Sequence, residues 1–301
     1  MSQLAALGQE AGRVASSVGP SVVTIGRDRR GAGAVIGDGR IVTNAHNLRG
    51  SQATVTFADG RVASGAVAGV DLDADLAVVE VDTAGAAALE WADEPVSTGA
   101  LVFAVTNGPG SGPRLTWGLV SATGQAFRGP RGRRITDALE HTAPLARGSS
   151  GGPLVNAEGR VVGINTHRRG DGFYLAVKAT TELRQQLDAL ARGESPARVA
   201  LGIAVAPSHV ARRLRSAVGL PPQDGLLVRG VEEGSPAERA GVRPGDLIVE
   251  ASGQPVASSD DLFGILDQLE EGATLPLRIV RGSEHVTVAV TFGSTGEEGS
   301  A

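Results

Sequence analysis

The sequence predicts a mostly β protein in two parts: a long domain of short antiparallel strands, closed as barrels or stacked as a sandwich, followed by a smaller α+β domain. Three observations lead there. Short apolar runs recur about every ten positions from Ser21 to Lys178, broken by Gly, Pro and Asp, with no long helix between them. At Thr180 the spacing turns helical, and a polar break containing Pro196 follows. The last hundred residues then mix strands with short capped helices.

In residues 1–19, Leu4, Leu7, Ala11, Val14 and Val18 fall on one helical face, which predicts an amphipathic helix packed on its own domain, with contact to a neighbouring subunit as the alternative. Strands are expected at 21–26, 31–37, 40–44, 54–57, 62–70, 76–81, 101–105, 115–122, 161–166 and 173–177. A helix from Thr180 carries Leu183, Leu187 and Leu190 on one side and stops at Gly193. The first globular domain is therefore 20–191, the linker 192–198 and the second domain 199–293. In the second domain, strands are expected at 201–206, 225–231, 246–251, 275–281 and 285–291. One helix starts at Ser235, with Pro236 in its first turn and Gly241 beyond; another runs from Ser259 to Leu269. The tail, 294–301, is rich in Gly, Ser and Glu, a composition that favours disorder.

Composition narrows the functional classes. The net charge of −5 gives no general reason to expect nucleic acid as a partner. The absence of cysteine excludes disulfides and thiol catalysis. No apolar run approaches the ~20 residues of a membrane-spanning helix, and no H-E-x-x-H pattern suggests a zinc site. The first eighteen residues lack the basic start and apolar core of a signal peptide, so the expected location is cytoplasmic as written, or periplasmic or otherwise extracytoplasmic for a processed form.

The most informative stretch is Arg147-Gly148-Ser149-Ser150-Gly151-Gly152-Pro153. A nucleophilic serine needs a hydroxyl exposed on a tight turn and main-chain N–H groups free to bind an oxyanion; flanking glycines allow both. The G-x-S-x-G spacing also raises the α/β-hydrolase elbow. Chain order separates the two, because His46 and Asp75 both precede Ser150, whereas the elbow arrangement places acid and histidine after the serine. His46 follows an apolar strand, and Asp75 opens another, which would half-bury its carboxylate against the imidazole.

The segments Thr43-Asn44-Ala45-His46, Asp75-Leu76-Ala77-Val78-Val79 and Gly148-Ser149-Ser150-Gly151-Gly152-Pro153-Leu154-Val155-Asn156 resemble the three catalytic motifs of the HtrA/Deg family of serine proteases. The resemblance implies an all-β, chymotrypsin-like double β-barrel protease domain followed by an α+β PDZ domain. It also implies a His46, Asp75, Ser150 triad, without metal or cofactor. Gly148 and Ser150 would form the oxyanion hole with Ser149 between them. Asn165, Thr166 and His167 would pair with an extended substrate, and Leu145 and Ala146 would border the primary specificity pocket. Pro144 at the expected pocket floor favours aliphatic over basic side chains. Two departures stand out. Ser149 replaces a usual Asn, which would leave the oxyanion loop less braced and dependent on a ligand for its active form. The loop at 27–30 is too short for the long regulatory insertion of some members. Ser149 and an unusual Asn47 after the histidine motivate a latent protease as an alternative.

Residues 234–248, from Gly234-Ser235-Pro236 through Gly245-Asp246, resemble the PDZ signature of the same family. By that resemblance Ala200, Leu201, Gly202 and Ile203 would hold a peptide C-terminus on successive N–H groups, with Arg198 as a basic neighbour. The implied activity is endoproteolysis of unfolded or misfolded protein, with the PDZ domain binding C-terminal peptides for delivery or activation. A homotrimer is the implied assembly. The alternative is a peptide-binding chaperone or scaffold whose protease domain is latent.

Overall fold

In the computed structural model, the described residues are 3–293 apart from 29, 109–111, 131, 196–198 and 271. Arg198, the side chain of Leu4 and the tail from Ser294 thus lie outside them. The chain divides into two compact units, Met1–Pro196 and Ala197–Ala301.

The first unit opens with α1 (Gln3–Val18), whose Leu7, Ala11, Val14 and Val18 pack into a common core as their spacing requires. Six strands follow: β1 (Val22–Ile25), β2 (Gly31–Gly37), β3 (Arg40–Thr43), β4 (Gln52–Thr56), β5 (Val62–Asp71) and β6 (Leu76–Glu80). They close a barrel in the order β1-β2-β3-β6-β5-β4, lined by Val23, Ile25, Val35, Ile41, Val55 and Val79. A second set comprises β7 (Leu101–Gly108), β8 (Gly112–Arg128), β9 (Arg134–His141), β10 (Pro153–Val155), β11 (Val161–Gly170) and β12 (Phe173–Lys178). It closes as β10-β11-β12-β9-β8-β7 around Val102, Val120, Leu139, Leu154 and Val162.

The barrels share a further core, in which Val42, Leu76 and Val78 of the first meet Phe103, Val105 and Ile164 of the second. α2 (Thr181–Ala191) seals it with Leu183, Leu187 and Leu190, after Thr180 caps the helix by accepting the Leu183 N–H. Each such side chain withdrawn from water contributes roughly 1.5–3 kcal/mol. This packing brings the ends of β3 and β6 against the turn before β10.

The second unit is built from β13 (Ile203–Ala206), α3 (Ser208–Ala217), β14 (Leu226–Val231), α4 (Pro236–Arg239), β15 (Leu247–Ala251), β16 (Gln254–Pro255), α5 (Ser259–Leu266), β17 (Thr274–Arg281) and β18 (Glu284–Thr291). The sheet order is β13-β14-β15-β17-β18, with β16 on β15, so β13 is an edge strand. Ser235 caps α4 through the Glu238 N–H, as its position before Pro236 predicts. Asp246 is buried and holds Arg281 through two bonds of 2.8 Å, which accounts for a carboxylate at the entrance to β15.

Candidate active site

β3 ends at Thr43, and the chain turns through Asn44 into a single 3-10 turn, Ala45–Asn47, that carries His46. The connection from β5 to β6 ends in Asp75, held at φ 55°, a left-handed conformation that Asp tolerates better than most residues. Ser150 lies in the turn before β10. The two barrels thus supply different parts of one site.

The His46 Nδ1 is 2.7 Å from Asp75 Oδ2 and 3.0 Å from Oδ1. The main-chain N–H of His46 also donates to Oδ1, at 3.1 Å. The Thr166 hydroxyl donates to Oδ2 at 3.0 Å, so several donors compensate a carboxylate that is only 2% exposed. The imidazole is 36% exposed, which leaves it accessible from solvent. Asp75 is more deeply buried than its place at a strand opening suggested. Its own carbonyl is held by Asn44 Nδ2 at 2.8 Å and by the Ala45 N–H at 3.2 Å.

The Ser150 hydroxyl donates to the Thr166 carbonyl at 2.9 Å. One residue of β11 therefore meets the nucleophile candidate with its carbonyl and the acid with its hydroxyl. Sequence reasoning placed Thr166 against substrate and missed the contact to Asp75, because nothing local to position 166 reveals a neighbour 91 residues away.

Upstream of Ser150, the Ser149 N–H bonds to the Ala146 carbonyl at 3.3 Å and Gly148 sits at φ 82°. Those are the marks of a type II turn, whose third position needs positive φ and so favours glycine. Among the described residues, neither the Gly148 nor the Ser150 N–H has a hydrogen-bond acceptor, which leaves two amides for a developing oxyanion. Ser149 is buried between them.

Asn165 is fully buried. Its main-chain N–H and C=O bond to Gly152 and Gly151 at 2.9 and 2.7 Å, and its Nδ2 donates to the carbonyls of Gly152 and Pro153. It braces the turn around Ser150. His167 is exposed, its ring stacked on Phe127 with centroids 6.0 Å apart. Leu145 is half-buried and Ala146 exposed, with Arg168 Nη2 on the Leu145 carbonyl at 3.4 Å. Behind Asn165 lies His141, fully buried and stacked on Tyr174. Burial pushes the His141 pKa down to about 4; the Asn165 side chain, beside it without completing a hydrogen bond, offsets a little. Among the described residues, no cluster of His, Asp or Glu has the arrangement of a metal site.

In the second unit, Gly202 takes φ 73° where a Cβ would lie 2.3 Å from that of Ser235. The carbonyls of Leu201 and Gly202 bond inward, to the N–H groups of Ala237 and Glu232. The N–H groups of Leu201 and Gly202 have no acceptor among the described residues, while Ile203 enters the ladder with Val231. Ala200 is exposed.

Residues 31–164 match the trypsin-like peptidase domain family and residues 227–281 the PDZ domain family. The chain is 34% identical to the putative serine protease HhoA of Synechocystis sp. (strain PCC 6803), over 88% of this chain and 71% of that protein. It is 32% identical to a probable periplasmic serine endoprotease DegP-like of Halomonas elongata, over 87% of this chain and 56% of the relative. The solved structure of the HtrA-type protease AlgW with decapeptide aligns with 96% of this chain and 99% of its own, at TM-score 0.63 and 23% identity, a likeness of fold.

Proposed function

Because the chain belongs to the HtrA/Deg family of serine endopeptidases, which joins a trypsin-like peptidase domain to a PDZ domain, we propose that it cleaves peptide bonds of unfolded protein with Ser150 as nucleophile, His46 as general base and Asp75 as the group that orients the imidazole. The observation that carries this reading is the 2.7 Å pairing of His46 with a buried Asp75 that Thr166 also links to Ser150. His46 takes the Ser150 proton during attack and returns it to the leaving amine, while Asp75 holds the tautomer and stabilises the imidazolium. The N–H groups of Gly148 and Ser150 receive the oxyanion, each worth roughly 3–4 kcal/mol of barrier lowering.

The Ser150 hydroxyl rests on Thr166 rather than on His46. That observation favours the second reading, a peptide-binding scaffold with a latent protease. Against it, one staggered rotation of the side chain moves the hydroxyl, and such rotations take picoseconds to nanoseconds in exposed residues. The free amides and the type II turn also support an oxyanion hole formed at rest. Active proteolysis is the better reading. Labelled unfolded casein, incubated with wild type and with Ser150→Ala, tests it: degradation only by the wild type is expected, and equal rates would end the protease reading. Stimulation of the wild type by added C-terminal peptides would mark latency instead.

Leu201 and Gly202 offer their N–H groups to a peptide carboxylate, and the edge strand β13 offers its open side to the peptide backbone. Cleavage after small or medium aliphatic residues is proposed on the family resemblance alone, which sets Leu145 and Ala146 at the border of the pocket and Pro144 at its floor. A homotrimer is the assembly we propose, to be read by light scattering. No described helix is long and apolar enough to cross a membrane. With a DegP-like relative named as periplasmic, an extracytoplasmic location is proposed; cell fractionation tests it.

A further inference from the structure

Asn47 immediately follows the proposed base, is only 2% exposed, and directs its amide at the nucleophile's own main chain. Its Nδ2 donates to the Ser150 carbonyl at 2.9 Å and to the Thr43 hydroxyl at 3.0 Å. Thr43 Oγ1 donates to the Ala32 carbonyl at 2.7 Å, and the Ala32 N–H supplies the Ser150 carbonyl with a second bond, at 2.8 Å. Three residues of the first barrel thereby close a ring of hydrogen bonds on one carbonyl of the second. Room for the amide exists because residue 31 is glycine: a Cβ there would lie 2.1 Å from Asn47 Cγ.

Stability alone does not account for an amide here. Among the described residues, Asn47 Oδ1 is buried without a partner, and an unpaired buried acceptor is unfavourable where an apolar side chain would incur no such cost. What the amide adds is registration. His46 and Asn47 are consecutive in one 3-10 turn, His46 bound to Asp75 and Asn47 to Ser150. Any shift of the Ser150 turn away from the imidazole must stretch the Asn47 bond. We infer that Asn47 is a positioning residue for Ser150, setting the nucleophile's main chain against the His46 ring through the Ser150 carbonyl.

This inference rests on the roles given above to Ser150 and His46, and the test keeps the two separable. Asn47→Val removes the donor and adds no polar group; Asn47→Asp keeps the shape and sets an acceptor against the carbonyl. Measured on the full chain per titrated site, kcat falls about tenfold for Val and on the order of 10²-fold for Asp, as a misplacement of about 1 Å would produce. KM stays within about twofold, the split expected when only transition-state geometry is lost. A folded Asn47→Val enzyme with kcat within about twofold of wild type, or a loss confined to KM, overturns the inference. Val decides alone if the Asp variant does not fold. Hydrogen exchange of the Asn47 side-chain amide, followed by NMR, needs no turnover. Slow exchange is expected, and fast exchange overturns the inference. Slow exchange in a wild type that lacks Ser150-dependent hydrolysis sustains the tie and counts against the protease reading.

Discussion

Arg133 Nε lies 2.9 Å from Asp73 Oδ2, an ion pair between the β8–β9 connection and the turn that presents Asp75, with both side chains largely buried. On the other side of that turn, Asp71 accepts the N–H groups of Asp73 and Ala74 and is held by Gln186 Nε2 of α2 at 2.6 Å. The turn that carries the catalytic acid candidate is thus gripped from the second barrel and from the closing helix.

Breaking such a buried pair costs up to about 3–5 kcal/mol. Arg133→Met should lower the urea-unfolding free energy by up to that amount. Arg133→Met combined with Asp73→Leu should be less costly than either single change. Additive losses in this double-mutant cycle would show that the two side chains do not interact.

His141 supplies a pH dependence of stability. Its pKa is pushed down to about 4 in the folded chain, against 6.5 unfolded. Between those values the unfolded state binds the additional proton, so stability is full above pH 6.5, falls as pH drops, and levels off below pH 4. At about 1.4 kcal/mol per unit, the loss across this window is on the order of 3 kcal/mol. His141→Phe keeps a ring against Tyr174 and should flatten that part of the curve. Parallel wild-type and variant curves from pH 4 to 6.5 in denaturant titrations would refute the assignment.

Thr166→Val deletes the hydroxyl that donates to Asp75 and retains the shape and the carbonyl facing Ser150. A bond to a charged group at this position corresponds to roughly 1.5–3 kcal/mol, or about ten- to a hundredfold in kcat. KM should move little. Peptidase assays under saturating and limiting substrate separate the two constants, and a kcat equal to wild type would remove Thr166 from the site.

Gly148→Ala sets a side chain where φ is 82°. The strain, about 1–2 kcal/mol, favours a type I turn, which reverses the Arg147–Gly148 peptide and withdraws one oxyanion donor. kcat should fall about 10²- to 10³-fold while thermal unfolding shifts by only a few degrees. Unimpaired turnover would mean that this N–H does not serve the oxyanion.

Much of the fold was legible because its signals are local. The strands from β1 to β8 lie close to their apolar runs, and Thr180, Ser235 and Pro236 mark helix starts where caps belong. Several elements escaped, the two-residue β16 among them. β9 carries Arg134, Asp137 and Glu140 among its apolar residues. β10 is three residues long and follows directly on the Gly151-Gly152 turn. α3 buries only Ala211 and Arg215, with Arg215 donating to the carbonyls of Pro221 and Gly282, so no apolar face announced it.

The positions of His46, Asp75 and Ser150 beside strand ends were legible locally, since each such turn leaves a short pattern of glycine or apolar residues around it. The same holds for the two-domain plan and the helix caps, which depend on neighbours within a few positions. Asn47 at the Ser150 carbonyl, Thr166 at Asp75 and Arg133 at Asp73 follow another rule. Their partners lie 103, 91 and 60 positions away, so no spacing encodes them. They exist because two closed barrels pack around Val42, Leu76, Phe103 and Ile164, and close packing admits one relative placement of the side chains at that seam.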